Sequence, residues 1–395
     1  MTDVDVIVVG AGIQGAGVAQ AAAAAGHSVL ILERSGIASG TSSRSSKLIH
    51  GGLRYLESGQ FGLVRECLRE RALLLRNAPG LVRLVAHHIP VYRQTRRRPA
   101  TLRAGLSLYA LLGGLGADVR FTSLPRQVWP TLDGLRQDGL QVVFRYFDGQ
   151  TDDAALTRAV VHSALELGAR LRMPATLTGA VDDGAGMRVR YCDAAGEVEM
   201  RCRALVNAAG PWVDSVLHTI EPAAQGPGME WVAGAHIVLP CCLTQGVYYT
   251  EAPRDGRAVF IMPWHGDRTL VGTTERAYAG DPATVAPSAD EIEYLRDTVR
   301  HYFPGCADLE PSEAFAGLRV LPASEGSAFA RPRDTRLHVT HGGRVVSIYG
   351  GKLTAYRASA ARVLDRIRGA LPKCRPRADT RRLDLIDAPD LSLPP

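Results

Sequence analysis

Three features of the sequence predict an α/β protein with a Rossmann-like nucleotide-binding domain and a second, mainly antiparallel-sheet domain. A β-branched run, Val4-Asp5-Val6-Ile7-Val8-Val9, leads directly into the glycine turn Gly10-Ala11-Gly12-Ile13-Gln14-Gly15. An alanine-rich stretch and a second apolar run ending in Glu33 follow at the spacing of a β-α-β unit. Downstream, between residues 220 and 310, short apolar runs separated by turns replace that pattern.

Each element of the first unit has a physical reason. Val4 to Val9 reads as a strand buried on both faces. Gly10 permits the tight turn, Gly12 lets backbone approach a pyrophosphate, and Gly15 lets the helix pack on the strand. Ala16 to Ala25 reads as the helix, ended by Gly26, and its N-terminus stabilises phosphate charge. Ser28 to Leu32 is the second strand. Glu33 stands eighteen residues beyond Gly15 and is placed to accept from a ribose hydroxyl.

Composition bounds the rest. The 395 residues hold two to three domains' worth of core at about 150 residues per domain. A hydrophobic share of 46% and a charged share of 22% exclude a disordered or fibrous chain. The net charge of +6 suits phosphorylated substrates, anionic lipid or nucleic acid without choosing among them. Of the 46 basic residues three are lysines, Lys47, Lys352 and Lys373, so 43 are arginines. Seven cysteines form no C-x-x-C pair and no zinc spacing, and suit reduced thiols in the cytoplasm; no metal is expected. Cys241-Cys242 reads as two packed side chains. The sequence shows no targeting signal and no unbroken apolar run long enough to span a membrane.

The stretch Ser39 to Tyr55 is rich in hydroxyls and hinged by glycines, with the pair Gly51-Gly52 inviting close approach by a flat ligand. Within it, Ser42-Ser43-Arg44-Ser45-Ser46-Lys47-Leu48-Ile49-His50-Gly51-Gly52-Leu53-Arg54-Tyr55-Leu56 resembles the second FAD-binding segment of FAD-dependent glycerol-3-phosphate dehydrogenases, within the D-amino-acid-oxidase-like flavoproteins. The resemblance implies FAD rather than NAD as cofactor. It continues through Asn207-Ala208-Ala209-Gly210-Pro211-Trp212, through Gly234 to Val238 and Val271 to Thr274, and through Gly317-Leu318-Arg319-Val320-Leu321 and Gly350-Gly351-Lys352-Leu353-Thr354-Ala355-Tyr356-Arg357. It runs to residue 366 and stops where the family usually carries a further helical domain. Glu275 stands where the family usually has aspartate.

Taken with the glycine turn, the resemblance implies a cofactor site of Gly10, Gly12, Ile13, Gly15, Glu33, Thr41, Ser42, Ser43, Ser46, Lys47, Leu48, His50, Gly51, Gly52, Ala208, Gly210, Trp212, Gly350, Gly351, Lys352, Leu353 and Thr354. It further implies oxidation of sn-glycerol 3-phosphate at C2 to dihydroxyacetone phosphate, with hydride to flavin N5 and electrons to quinone or another acceptor. A phosphate dianion needs charge-assisted donors, preferably guanidinium. Arg54, Arg319 and Arg333 fill that role by motif position, joined by Tyr55, Thr274 and Lys352 in the substrate site. The hydroxyl proton needs a base, and both His50 and Lys352 are open choices. Arg319 stays charged and therefore anchors substrate and stabilises alkoxide. Lys352 is expected in the first turn of the helix after Gly350-Gly351.

The alternative reading is an oxidase or dehydrogenase of another phosphorylated or anionic hydroxy or amino substrate, using O2. A non-catalytic flavin-binding subunit fits less well, because it has no use for a convergent anion site. The expected organisation is a flavin domain in three parts, 1–85, 148–219 and 313–370. A substrate or cap segment at 86–147, a substrate domain at 220–312 and a tail at 371–395 complete it. Phe61 to Leu84 reads as one surface helix. The cluster Arg93, Arg96, Arg97, Arg98 and Arg103 precedes an apolar helical stretch and fits either a membrane interface or a solvated loop before a core helix. The resemblance favours peripheral membrane contact, on the inner face of the cytoplasmic membrane. Nucleic acid is not an expected partner, and the oligomeric state stays open.

Overall fold

The computed structural model describes residues 3–322 and 335–389, arranged around two sheets of nine and ten strands. In the first sheet the strand Val4–Val9 lies between Val29–Leu32 and Gly196–Asn207, parallel to both, with Val8 opposite Ile31 and Val206. These residues are fully buried, as β-branched runs covered on both faces should be. The helix Ile13–Ala24 exposes almost nothing because its small side chains admit close neighbours. A Cβ added at Gly17 would lie 2.6 Å from the Tyr356 ring, so the helix packs directly against Tyr356–Ile367, as well as against Asp153–Glu166. Asp152 caps the latter by accepting from the Ala154 and Ala155 amides at 2.9 and 3.0 Å.

Gly196–Asn207 is one long strand of twelve residues. It pairs antiparallel with Met187–Asp193 at its start and parallel with Val4–Val9 and Val345–Tyr349 at its end. One strand thus couples a hairpin to the nucleotide-binding core.

The second sheet is mainly antiparallel, as expected. Its order runs Arg276–Tyr278, Met229–Leu239, Arg268–Gly272, Ala258–Trp264, Val247–Glu251, Val82–Tyr92, Leu140–Thr151 and Leu48–Ile49. Glu313–Pro322 pairs with Met229–Leu239 over ten positions, so this strand belongs to the second sheet although the sequence places it in the closing part of the flavin domain. Val82–Tyr92 and Leu140–Thr151 likewise run across the expected boundaries at 85 and 147.

The helix read as Phe61 to Leu84 ends at Asn77. Pro79 has no amide hydrogen and disfavours helix at Ala78, and Gly80 follows, so the chain leaves the helix and enters the strand Val82–Tyr92. The apolar stretch after the arginine cluster forms the helix Pro99–Leu112, which buries Leu102, Leu106 and Tyr109 on the second sheet and leaves Leu111 exposed. Among the described residues no helix is long and apolar enough to cross a membrane. The segment after residue 370 is tied down: the Arg377 amide donates to Ala24 O at 2.7 Å and the Leu385 amide to Asn77 O at 2.7 Å.

Candidate functional site

A cavity of about 710 Å³ takes its walls from both sheets. The glycine turn forms part of its wall. Gly10 has φ +100°, and a Cβ there would lie 2.7 Å from Ala208 O. A Cβ on Gly15 would lie 1.9 Å from Gly10 O, so Gly15 serves helix–strand packing and does not line the cavity. At Gly12 a Cβ would meet Ser42 Oγ at 3.0 Å, and Ser42 Oγ accepts from the Ile13 amide at 2.9 Å. Glu33 is held by the Ala11 amide at 2.7 Å and the Ser35 amide at 2.8 Å. The Arg34 guanidinium stacks 4.2 Å from the Trp212 ring.

The hydroxyl-rich segment crosses from the first sheet to the second. Thr41 Oγ1 donates to Leu318 O at 2.8 Å, and Gly317 leaves room for the Arg44 carbonyl, which a Cβ there would meet at 2.7 Å. Thr41, Ser42, Ser46, Leu48 and His50 face the cavity. Ser43, Lys47, Gly51 and Gly52, which were expected to touch the cofactor, do not line it. Lys47 is buried in an ion pair with Asp153 and donates to Ser43 O at 2.5 Å. Its task is to hold the loop against the start of the helix Asp153–Glu166; a buried carboxylate without that ammonium would be strongly penalised. Burial raises the Asp153 carboxyl, and Lys47 opposes that rise.

Gly51 belongs to a buried relay. Its amide donates to Tyr109 Oη at 2.8 Å, Tyr109 donates to Asp148 Oδ2 at 2.7 Å, and Arg71 Nη1 reaches Asp148 Oδ1 at 3.1 Å. Burial pushes the Asp148 carboxyl up to about 6 against the pull of Arg71. The relay fixes the backbone beside His50, whose own amide donates to Thr354 Oγ1 at 3.1 Å.

The cavity wall also carries positive charge, from Lys352 and Arg319. Gly350 and Gly351 have φ +71° and +113°, which keeps the chain out of the helix until Tyr356. Lys352 therefore precedes the helix and is not in its first turn. Its Nζ lies 3.6 Å from the centroid of the Tyr55 ring and has no hydrogen-bond partner among the described residues. Arg319 faces the cavity from the strand Glu313–Pro322 and donates to Glu275 Oε1 at 3.0 Å. Arg54 Nη2 is 3.7 Å from the same oxygen. Arg54 does not line the cavity and meets Arg319 through Glu275. The longer acidic side chain thus bridges two guanidiniums. Arg333 lies outside the described residues.

Thr274, expected to bind substrate, is used structurally. Its hydroxyl accepts from the Ala235 amide at 2.9 Å and donates to Glu291 Oε1 at 2.6 Å. Glu291 is half of a capping box with Ser288, a Ser-x-x-Glu signal legible in the sequence, and also accepts from Arg276 Nε at 2.9 Å.

His236 is a further cavity residue, inside the stretch Gly234 to Val238 and outside the expected set of site residues. It stacks on Phe315 with ring centroids 5.1 Å apart, and its Nε2 is 3.1 Å from Ser46 Oγ. Burial holds its imidazole down, to about 3, helped by Arg319 and Lys47, so it stays neutral. Gly272 stands opposite on the neighbouring strand, where a Cβ would lie 2.0 Å from the ring. That glycine, in Val271-Gly272-Thr273-Thr274, is the sequence signal for a large group across the sheet.

The FAD dependent oxidoreductase family model matches residues 5–357. The chain belongs to the FAD-dependent oxidoreductase family. It is 37% identical over 383 residues to the D-erythritol 1-phosphate dehydrogenase of Brucella abortus, covering 93% of this chain and 74% of that protein. It is also 37% identical over 377 residues to the glycerol-3-phosphate dehydrogenase of Pseudomonas aeruginosa, covering 92% and 71%. The structure of the Bacillus halodurans glycerol-3-phosphate dehydrogenase complexed with FAD superposes with a TM-score of 0.72 at 26% identity, over 97% of this chain and 67% of that one. FAD is the cofactor of this oxidoreductase. The residues present fit it: the glycine turn leaves a cradle that side chains would fill, Glu33 stands at the end of the second strand, and Gln14 Oε1 and Lys352 Nζ are buried without hydrogen-bond partners among the described residues.

Proposed function

We propose that this flavoenzyme oxidises sn-glycerol 3-phosphate at C2 to dihydroxyacetone phosphate and passes the electrons to a quinone or another carrier. The observation that carries the reading is that Arg319, Lys352 and Tyr55 line the same cavity as the nucleotide-binding turn, with Lys352 Nζ 3.6 Å from the centroid of the Tyr55 ring. FAD, when bound, supplies the hydride acceptor. The chain's own groups do the rest. Arg319 and Lys352 bind the phosphate and the oxygen that becomes negative, since guanidinium and ammonium are the strongest donors to anionic oxygen. Glu275 holds Arg319 and Arg54 in register. His50, on the cavity wall, takes the hydroxyl proton on its imidazole. His236, neutral and fixed by Phe315 and Ser46, orients the carbinol oxygen by a hydrogen bond without adding a third positive charge.

A longer phosphorylated polyol is the second reading, favoured by the 37% identity to the erythritol 1-phosphate dehydrogenase. Steady-state kcat/KM with an artificial acceptor separates the two. The proposal expects sn-glycerol 3-phosphate to exceed D-erythritol 1-phosphate, and both to exceed unphosphorylated glycerol by about 2 kcal/mol or more in transition-state binding. Equal turnover of glycerol and its phosphate would remove the phosphate assignment. Stoichiometric hydrogen peroxide release would show O2 to be the acceptor. The exposed Leu111 and Leu115 beside the basic segment at 93–103 support peripheral contact with an anionic membrane face.

A further inference from the structure

One corner of the second sheet gathers three cysteines that the oxidation chemistry does not use. Cys241 and Cys242 follow the strand Met229–Leu239, and Cys306 closes the short turn Pro304–Cys306 after the helix Ala289–Tyr302. The Sγ atoms of Cys241 and Cys306 are 3.3 Å apart across 65 residues of sequence, with Cys306 as donor. Both cysteines are half-buried against the core that holds Leu243, Tyr302 and Phe303. Their backbones are fixed: Thr269 Oγ1 donates to Cys241 O at 2.7 Å, and the Cys306 amide donates to Phe303 O at 2.9 Å. Cys242 points elsewhere, exposed, with its Sγ 2.9 Å from Gly266 O. Among the described residues no group of three or more His, Cys, Asp or Glu is arranged to hold a metal.

The Cys306 thiol donating to Cys241 Sγ, with help from Thr269, holds the Cys241 thiol low, to about 6, against the effect of burial, and pushes Cys306 up. The thiolate is the reactive form of a cysteine. Cys241 is therefore the nucleophile, and Cys306 the neighbouring thiol that can close on it.

We propose that Cys241 and Cys306 form a peroxide-sensitive dithiol, a covalent modification site that joins the end of the strand Met229–Leu239 to the turn after the helix Ala289–Tyr302. The oxidant is hydrogen peroxide or an organic hydroperoxide. The Cys241 thiolate attacks one peroxide oxygen, the O–O bond breaks, and hydroxide or alkoxide leaves, giving a sulfenic acid. The Cys306 sulfur then attacks Cys241 Sγ. The S–S bond forms, the S–O bond breaks, and water departs with the Cys306 proton. Each sulfur has lost one electron and the peroxide has gained two. Closure brings the sulfurs from 3.3 Å to about 2.05 Å, a short movement. The strand joined in this way also carries Gly234 and His236 into the cavity, so oxidation restrains an element of the substrate site.

The test uses the full FAD-loaded protein, reduced, freed of reductant, treated with one equivalent of hydrogen peroxide and then alkylated and mapped by peptide mass spectrometry. Two of the seven thiols should be lost, and the recovered cross-link should join Cys241 to Cys306. Cys306→Ser should abolish the cross-link and leave Cys241 as a sulfenic acid trapped by dimedone, whereas Cys242→Ser should leave the cross-link intact. The wild-type map decides the question by itself if Cys306→Ser does not fold. The proposal is overturned if Cys241 and Cys306 stay alkylatable at peroxide levels that oxidise the exposed Cys192 and Cys374, or if Cys242 replaces Cys241 in the cross-link.

Discussion

Arg319 and Lys352 meet the cavity with different support, and their variants should differ accordingly. Arg319 is braced by Glu275, which also reaches Arg54. Arg319→Ala removes a donor to the substrate and leaves Glu275 with less compensation. It should lower kcat/KM for the phosphorylated substrate by about 2 to 4 kcal/mol. Steady-state kinetics checks this, and unchanged kinetics would detach Arg319 from the substrate. His50→Asn should lower kcat by about 10²- to 10⁴-fold with FAD still bound, the range of a lost general base. A full-rate variant would return the base role to Lys352. In the glycine turn, Gly12→Val puts branched carbons where even a Cβ lies 3.0 Å from Ser42 Oγ, and should yield colourless protein. A variant that purifies yellow would mean the nucleotide turn has been misassigned. Which residues were legible follows from their chemistry. Gly10, Gly12 and Glu33 act through backbone geometry at fixed spacing, so a motif encodes them. Lys47 and Thr274 looked like ligands by position, yet their partners, Asp153 and Glu291, are distant in sequence, and only the fold brings them together.

Among the elements, the first β-α-β unit was readable because its strands, turn and helix are contiguous and locally determined. The end of the helix Phe61–Asn77 is equally local: Ala78-Pro79-Gly80 breaks it, although leucine and valine continue a helical-looking pattern beyond the break. Strand partnership was not readable. Glu313–Pro322 joins the second sheet through pairing with a strand some eighty residues earlier, and nothing in its own residues announces that. The loop beside His50 depends on the helix Pro99–Leu112 through Tyr109. Tyr109→Phe strips the Gly51 amide and Asp148 Oδ2 of a partner and should cost about 1 to 3 kcal/mol of stability in denaturant unfolding. Stability equal to the wild type would show that the relay is idle. Lys47→Met, which strands Asp153, should cost more, about 3 to 5 kcal/mol, while the protein remains yellow because Lys47 does not line the cavity.

For the whole molecule, the buried histidines set the response to acid. Burial holds His87 and His236 down, each to about 3, and His88 to about 4, all below the usual 6.5. Below pH 6.5 the unfolded chain protonates these rings and the folded chain does not. Their contribution to stability is therefore present above pH 6.5 and is lost as pH falls towards 3 to 4, at about 1.4 kcal/mol per pH unit for each ring. Asp148, raised to about 6, works in the opposite sense between pH 6 and 4 and offsets one of the three. The melting temperature should fall between pH 7 and 5; a flat profile would mean that these rings are hydrated. At this scale the two-sheet architecture follows from the sequence, whereas the burial of His236 against Phe315 and the docking of residues 377–385 come only from the assembled fold. What the assembled cavity oxidises is read most directly from the flavin itself. Anaerobic mixing of the FAD-loaded protein with sn-glycerol 3-phosphate should bleach the long-wavelength band of oxidised flavin and yield one dihydroxyacetone phosphate per flavin. A band that persists at saturating sn-glycerol 3-phosphate, in protein that dithionite bleaches, would show that sn-glycerol 3-phosphate is not the substrate.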